Sequence, residues 1–172
     1  MKKGYRTIVA VVSLFLLVLI DQVTKFAAVK CLKGKEAFSL IPGVFELQYL
    51  ENRGAAFGAL QNQRWFFILI VIFVLAVLLW CFIRFPKEAH YRPLAVLAVF
   101  IAAGAIGNMI DRLLNGYVID FLYFSLIDFP IFNVADISID VNRHNGTRFV
   151  CNQSLNFACI HTIRFRIYIT EY

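Results

Sequence analysis

Residues 65–83 read WFFILIVIFVLAVLLWCFI, nineteen positions without one charged side chain. Crossing the roughly 30 Å hydrocarbon core of a bilayer takes about 20 helical residues, so this stretch reads as a transmembrane helix. Downstream, Pro93–Ile110 (PLAVLAVFIAAGAIGNMI) is equally free of charge and reads as another. Upstream, Thr7–Ile20 offers only fourteen positions, so a full span there has to continue through Asp21, Gln22, Thr24 and Lys25 to about Val29. Polar groups therefore occupy the last turns of the first helix. Three spans, at about 7–29, 65–83 and 93–112, define an all-α polytopic membrane protein, a helical bundle.

The composition agrees. Of 172 residues, 60% are hydrophobic and only 16% charged, more apolar than a soluble domain of this size can hide. The net charge of +6 does not point to nucleic acid, because the 17 basic residues are scattered between apolar blocks and form no stripe. They read as topology determinants. Basic residues are dense in the first six positions and in Arg84–Arg92, and sparse in Lys30–Arg64 and from Arg112 onward. Cytoplasmic loops carry the excess of Lys and Arg, which places the amino terminus inside and residues 30–64 and 112 onward outside.

A cleaved signal peptide is the competing reading of the first segment. Asp21 and Lys25 stand where a small-residue cleavage site belongs, so an uncleaved span is expected. Cys31, Cys81, Cys151 and Cys159 have no metal-ligand spacing, and no disulfide framework is expected. The sequons at Asn145 and Asn152 read as chance. In the outer loop, Phe45, Leu47 and Tyr49 alternate with Glu46 and Gln48 after the Pro42-Gly43 turn signal, which predicts a short strand or hairpin on the membrane surface.

Five of the six aspartates, Asp111, Asp120, Asp128, Asp136 and Asp140, fall within thirty residues at and beyond the outer end of the third helix. Carboxylates at a bilayer boundary are costly to desolvate, so they are usually paired, hydrogen-bonded or functional. Asp128 and Asp140 read as solvated loop residues. Asp120 in Tyr117-Val118-Ile119-Asp120-Phe121-Leu122 and Asp136 in Phe132-Asn133-Val134-Ala135-Asp136 sit in apolar settings that resist ionisation. Brought together, two such carboxyls share one proton: the ionised member takes a proton from water while the other polarises a scissile carbonyl. His90, His144 and His161 lie away from any nucleophile or metal cluster, and neither HExxH nor GxSxG is present.

Asp21-Gln22-Val23-Thr24-Lys25, Asn52-Arg53-Gly54-Ala55-Ala56-Phe57-Gly58, Gly107-Asn108-Met109-Ile110-Asp111-Arg112, Gly116-Tyr117-Val118-Ile119-Asp120-Phe121 and Phe132-Asn133-Val134-Ala135-Asp136 together resemble the motif series of bacterial lipoprotein signal peptidase, over about residues 6–137. That family consists of four-helix aspartyl endopeptidases of the bacterial cytoplasmic membrane. They remove signal peptides from prolipoproteins just before a diacylglyceryl-modified cysteine. The resemblance implies Asp120 and Asp136 as the catalytic pair. It implies Asp21, Lys25, Asn52, Gly54, Asn108, Arg112 and Asn133 as site support, and the outer loop as a substrate-holding platform. A lipid-modified prolipoprotein and membrane lipids are the partners it implies, with no nucleic acid, no cofactor and no metal.

Each of these residues also has a plainer reading. Asp21 and Lys25, four apart on one helical face, pair with each other or form a modest surface ion pair. Asn108 and Arg112 are likewise one turn apart, and Arg112 binds substrate or snorkels to the interface. Asn133 holds Asp136 or caps a helix. Gly54 and Gly58 permit tight turns near a substrate or only shape a loop.

Beyond residue 137 the family pattern stops. A fourth span should begin almost at Asp136, yet residues 138–172 contain Asp140, Arg143, His144, Arg148, Arg164, Arg166 and Glu171, and no stretch long and apolar enough to cross a membrane. The expected organisation is a peptidase domain over 1–137 followed by an atypical polar tail, with a change of reading frame near residues 137–141 as its cause. Two other functions compete: a non-catalytic membrane subunit or inactive variant, and a proton or cation conduit. The uncharged second and third spans disfavour the conduit.

Overall fold

The computed structural model describes residues 3–54, 60–84 and 92–139. Among the described residues, three helices are long and apolar enough to cross a membrane: α1 (Lys3–Leu32), α2 (Arg64–Arg84) and α3 (Arg92–Leu114). Each overlays the span expected for it and extends a few residues further at its ends. The first is helical straight through Asp21 and Lys25, with Thr24 Oγ1 folded back onto the carbonyls of Ile20 and Asp21. The multi-pass helical reading holds.

α3 is the central helix, packed on α1 on one side and α2 on the other. Its sequence explains this position. Ala95, Ala98, Ala103, Gly104, Ala105 and Gly107 are buried, and small side chains let helix backbones approach closely where lipid provides no hydrophobic push. Most of α1 and α2 instead presents large apolar side chains outward, including Phe15, Phe26, Trp65, Phe73 and Trp80.

One end of the bundle carries an antiparallel sheet of β1 (Phe38–Ile41), β2 (Phe45–Asn52) and β3 (Val118–Tyr123), in that order. The β1–β2 hairpin is the one expected in the outer loop. The third strand was not among the expected elements, and it places Asp120 opposite Leu50 of β2. The Val118–Tyr123 run VIDFLY is β-branched and aromatic, a composition that favours a pleated, half-buried surface. Because side chains alternate across a strand, Ile119 and Phe121 pack with Ala28 of α1 on one face while Asp120 points to the other.

After a 3-10 turn at Ser125–Ile127, Phe132 exchanges backbone hydrogen bonds with Leu122 and the chain turns helical again over 134–139, called α4. That start is where a fourth helix was expected. The tail from residue 140, with Asp140, His144, His161, Cys151, Cys159 and both sequons, lies outside the described residues, as do His90 and Ala55–Gly58 of the second motif.

Candidate functional site

Polar side chains from α1, α3, β2, β3 and α4 converge where the sheet meets the bundle, in two adjoining clusters. The first is closed. Lys25, only 1% exposed, directs its ammonium at Asp21 Oδ2 (3.0 Å), Asp111 Oδ2 (2.9 Å) and Asn108 Oδ1 (2.9 Å), which uses all three of its protons. The remaining oxygens are occupied as well. Asp21 Oδ1 accepts the Ala135 N–H at the start of α4 and Asp111 Oδ1 accepts from Gln22 Nε2, which also reaches Asp21 Oδ2 and the Gly107 carbonyl, while Asp111 Oδ2 accepts the Ile119 N–H of β3 as well. One ion triad thus ties α1 to α3, β3 and α4. Gly107 makes room for it: a Cβ there would run into Asp21 Oδ2.

The second cluster opens onto a cavity of about 530 Å³ whose lining includes Asn52, Asn108, Arg112, Asp120, Phe129 and Asp136. Asn133 draws the two carboxyls together. Its side-chain Nδ2 donates to Asp120 Oδ1 (2.6 Å) and its backbone N–H to Asp136 Oδ2 (3.0 Å), while its Oδ1 accepts the Asp136 N–H (3.1 Å). That exchange is a reciprocal cap at the first turn of α4. Asn133 therefore fills both roles that its sequence left open. Each carboxyl has one more donor: Asn52 Nδ2 to Asp120 Oδ2 (2.9 Å) and Asn108 Nδ2 to Asp136 Oδ1 (2.9 Å). Both amides are oriented by their other ends, since Asn52 Oδ1 accepts the Gly54 N–H and Asn108 Oδ1 accepts from Lys25.

Among the described residues, no cation forms a salt bridge with either carboxyl. Burial, and then the neighbouring Asp136 carboxylate, push the Asp120 carboxyl up to about 7, against the opposing pull of its Asn52 and Asn133 donors. Its proton is thus labile near neutrality, which suits acid–base chemistry. Arg112 is half-buried on the cavity wall, stacked over the Phe67 ring at 4.6 Å and donating to the Gly54 carbonyl at 3.1 Å. Phe129, Pro130, Ile131 and Phe132 complete an apolar wall.

Every residue that the motifs nominated and the structure describes falls in one of these clusters: Asp21 and Lys25 in the closed one, Asn52, Gly54, Arg112, Asp120 and Asp136 around the cavity, and Asn108 and Asn133 between. The surface reading of the Asp21–Lys25 pair is corrected, because both side chains are 2% exposed. Asp128 is an exposed turn residue accepting from Tyr123, as expected. Asp111 and Gln22 were quoted within motifs but given no role. Asp111 stands three residues after Asn108, on the face that α3 turns to Lys25, and that spacing was the available signal.

Comparison with known proteins gives a consistent result. The family model described as signal peptidase (SPase) II matches residues 13–143. A lipoprotein signal peptidase of Brevibacillus brevis is 48% identical over 126 residues, which cover 73% of this chain and 83% of that protein. The lipoprotein signal peptidase of Streptococcus pyogenes serotype M5 is 44% identical over 131 residues, covering 76% and 85%. A bacterial membrane enzyme solved by the in meso method at 2.3 Å resolution superposes with a TM-score of 0.73 at 34% identity, over 86% of this chain and 88% of that one.

Proposed function

Because this chain belongs to the signal peptidase II family, we propose that it is an aspartic endopeptidase that cleaves prolipoproteins just before a diacylglyceryl-modified cysteine, with Asp120 and Asp136 as the catalytic pair. The observation that carries the reading is the clamp of Asn133 on both carboxyls at the wall of a cavity. Two carboxyls so placed hold one proton between them near neutrality. One takes a proton from water as the water oxygen attacks the scissile carbonyl carbon, and the other hydrogen-bonds the carbonyl oxygen. No covalent enzyme intermediate is needed. The substrate, by this reading, is a lipid-modified prolipoprotein whose peptide lies against the sheet and the apolar wall, and Asp21, Lys25, Asn52, Gly54, Asn108, Arg112 and Asn133 support the site. Family membership supports placement in a bacterial cytoplasmic membrane, and the distribution of basic residues supports an orientation with this cavity at the outer face.

The reading is tested on purified full-length chain with a lipidated precursor peptide. Asp120→Asn and Asp136→Asn each abolish cleavage, a loss of at least about a hundredfold, with protein abundance near that of the unsubstituted chain. Cleavage retained in either variant removes the pair from the mechanism.

A second reading, an inactive variant, is favoured by the tail. Residues 1–137 would carry the peptidase machinery, while residues 138–172 lack an apolar span and the family match ends at residue 143. Translation of the coding DNA in its other two frames decides whether an apolar run of about 20 residues follows the Asp136 codon.

A further inference from the structure

We infer that the two carboxyls have fixed and different tasks: Asp136 is the ionised member that takes the proton from water, Asp120 is the protonated member that binds the scissile carbonyl, and Lys25 and Asn108 are the positioning residues that set the difference. The inference rests on the peptidase reading of this site and adds the assignment within the pair.

Three asymmetries carry it. Asp120 is 2% exposed on a strand whose other face packs on α1, whereas Asp136 is only partly buried at the cavity wall, so ionisation costs Asp120 more solvation. Asp136 accepts a backbone N–H, that of Asn133, which belongs to the turn that starts α4 and cannot rotate away. Asp120 accepts only side-chain amides, from Asn52 and Asn133, and the Asn133 Nδ2 has three acceptors in reach for two hydrogens. Last, the amide that donates to Asp136 is polarised by an ammonium. Lys25 Nζ sits 2.9 Å from Asn108 Oδ1, and Asn133 Nδ2 approaches the same oxygen at 3.2 Å. Those two donors forbid the flipped amide and strengthen its Nδ2 as a donor to Asp136. The matching amide of Asn52 has a neutral backbone N–H behind it.

The charged groups around the pair are Asp21 and Lys25 of α1, Asp111 and Arg112 of α3, Glu51 of β2, and the two carboxyls themselves. Asp21 and Asp111 are paired with Lys25 and Glu51 with Lys33, and Arg112, held on the Gly54 and Asn108 carbonyls, acts on both carboxyls and on Asp120 first, so among these charges the one that favours Asp136 is Lys25, through the Asn108 amide.

The proton balance follows. Water gives one proton to Asp136 as its oxygen bonds to the scissile carbonyl carbon, and Asp120 gives its proton to the carbonyl oxygen. On collapse one hydroxyl returns its proton to Asp120, the carbon–nitrogen bond breaks, and the proton on Asp136 passes to the leaving nitrogen. Both carboxyls end as they began.

The test is the pH profile of lipopeptide cleavage by the full chain. Loss of cleavage in both Asp→Asn variants is read first, and its failure counts against the peptidase reading alone. Asn108→Ala removes a donor from ionised Asp136, so the acid limb rises by about one pH unit while the alkaline limb stays, narrowing the bell. Asn52→Ala removes a donor from Asp120, so the alkaline limb rises and the bell widens. The opposite pattern, or limbs that do not move, overturns the assignment. If either alanine variant does not fold, 13C-carboxyl NMR of the unsubstituted chain answers the same question. The signal absent from Asp136→Asn titrates at lower pH than the one absent from Asp120→Asn, and the reverse order overturns the inference.

Discussion

Asp21 and Asp111 converge on the Lys25 ammonium, whereas Asp120 and Asp136, one amide away, converge on the neutral side chain and backbone of Asn133. Both are pairs of carboxyls in low-dielectric surroundings, and each closes contacts between α4 and the rest of the molecule. They differ in the partner. The Lys25 ammonium binds both members of the first pair, so the cluster is a fastener. The second pair is ordered by the neutral Asn133 with no cation between its members, and under the proposed function one proton there is free to move. Under the proposed function, the cation separates the carboxyls that hold the fold from those left for chemistry.

The comparison breaks most visibly at Lys25. Lys25→Met keeps the length of the side chain but leaves Asp21 and Asp111 buried and unpaired, and removing one partner of a buried ion pair costs about 3–5 kcal/mol. Abundance in the membrane and resistance to denaturation in detergent should fall sharply, in contrast to Asp120→Asn, which keeps both. Adding Asp21→Asn and Asp111→Asn to Lys25→Met removes the unpaired charges and should recover much of the abundance. If Lys25→Met accumulates normally, the fastener reading of the cluster is wrong.

Stability against pH separates the clusters next. The folded-state pKa of Asp120, about 7, lies above the ordinary carboxyl value of 3.8, so between those values the folded chain holds a proton that the unfolded chain has released. Stability contributed by that proton is complete below the lower value and is lost as pH rises through the upper one, by a few kcal/mol in total. Thermal denaturation in detergent should therefore show stability declining from about pH 4 to pH 7, and Asp120→Asn should flatten the slope. An equal slope in that variant assigns the titration elsewhere.

The sequence made the three spans legible because an uncharged run of about 20 residues has one low-energy answer in lipid. The hairpin was legible from the period-2 alternation around Phe45–Tyr49. β3 was not, because Val118–Tyr123 is apolar on both faces and interrupted only by Asp120, so periodicity cannot tell it from a continuation of the helix before it. The motif residues named the site, but not its division in two. Lys25 and Asp21, four apart, read equally well as a surface pair, and only the arrival of Asp111 from α3 buries them. Asn133 offered capping and holding as alternatives, whereas its side-chain Oδ1 caps α4 while its backbone N–H holds the Asp136 carboxyl.

The smallest effects are expected at the two glycines of α3 that face this junction, and they should divide along the same line. A Cβ at Gly107 meets the Asp21 carboxylate and then the Ala135 methyl, while a Cβ at Gly104 meets the Ala135 carbonyl oxygen and the Ile139 side chain. Gly107→Ala therefore presses on the fastener and should lower stability by about 1–3 kcal/mol, the usual cost of overpacking. Gly104→Ala presses on the backbone of α4, which carries Asp136. The helix has to shift outward to relieve the contact, and a misplacement of about 1 Å can cost on the order of a hundredfold in rate. The two variants should thus separate on a plot of cleavage rate against denaturation midpoint, with Gly104→Ala losing rate and Gly107→Ala losing stability. If both fall on one line, α4 and the Lys25 cluster move as a single unit, and the division between fastener and chemistry does not extend to the helix that joins them.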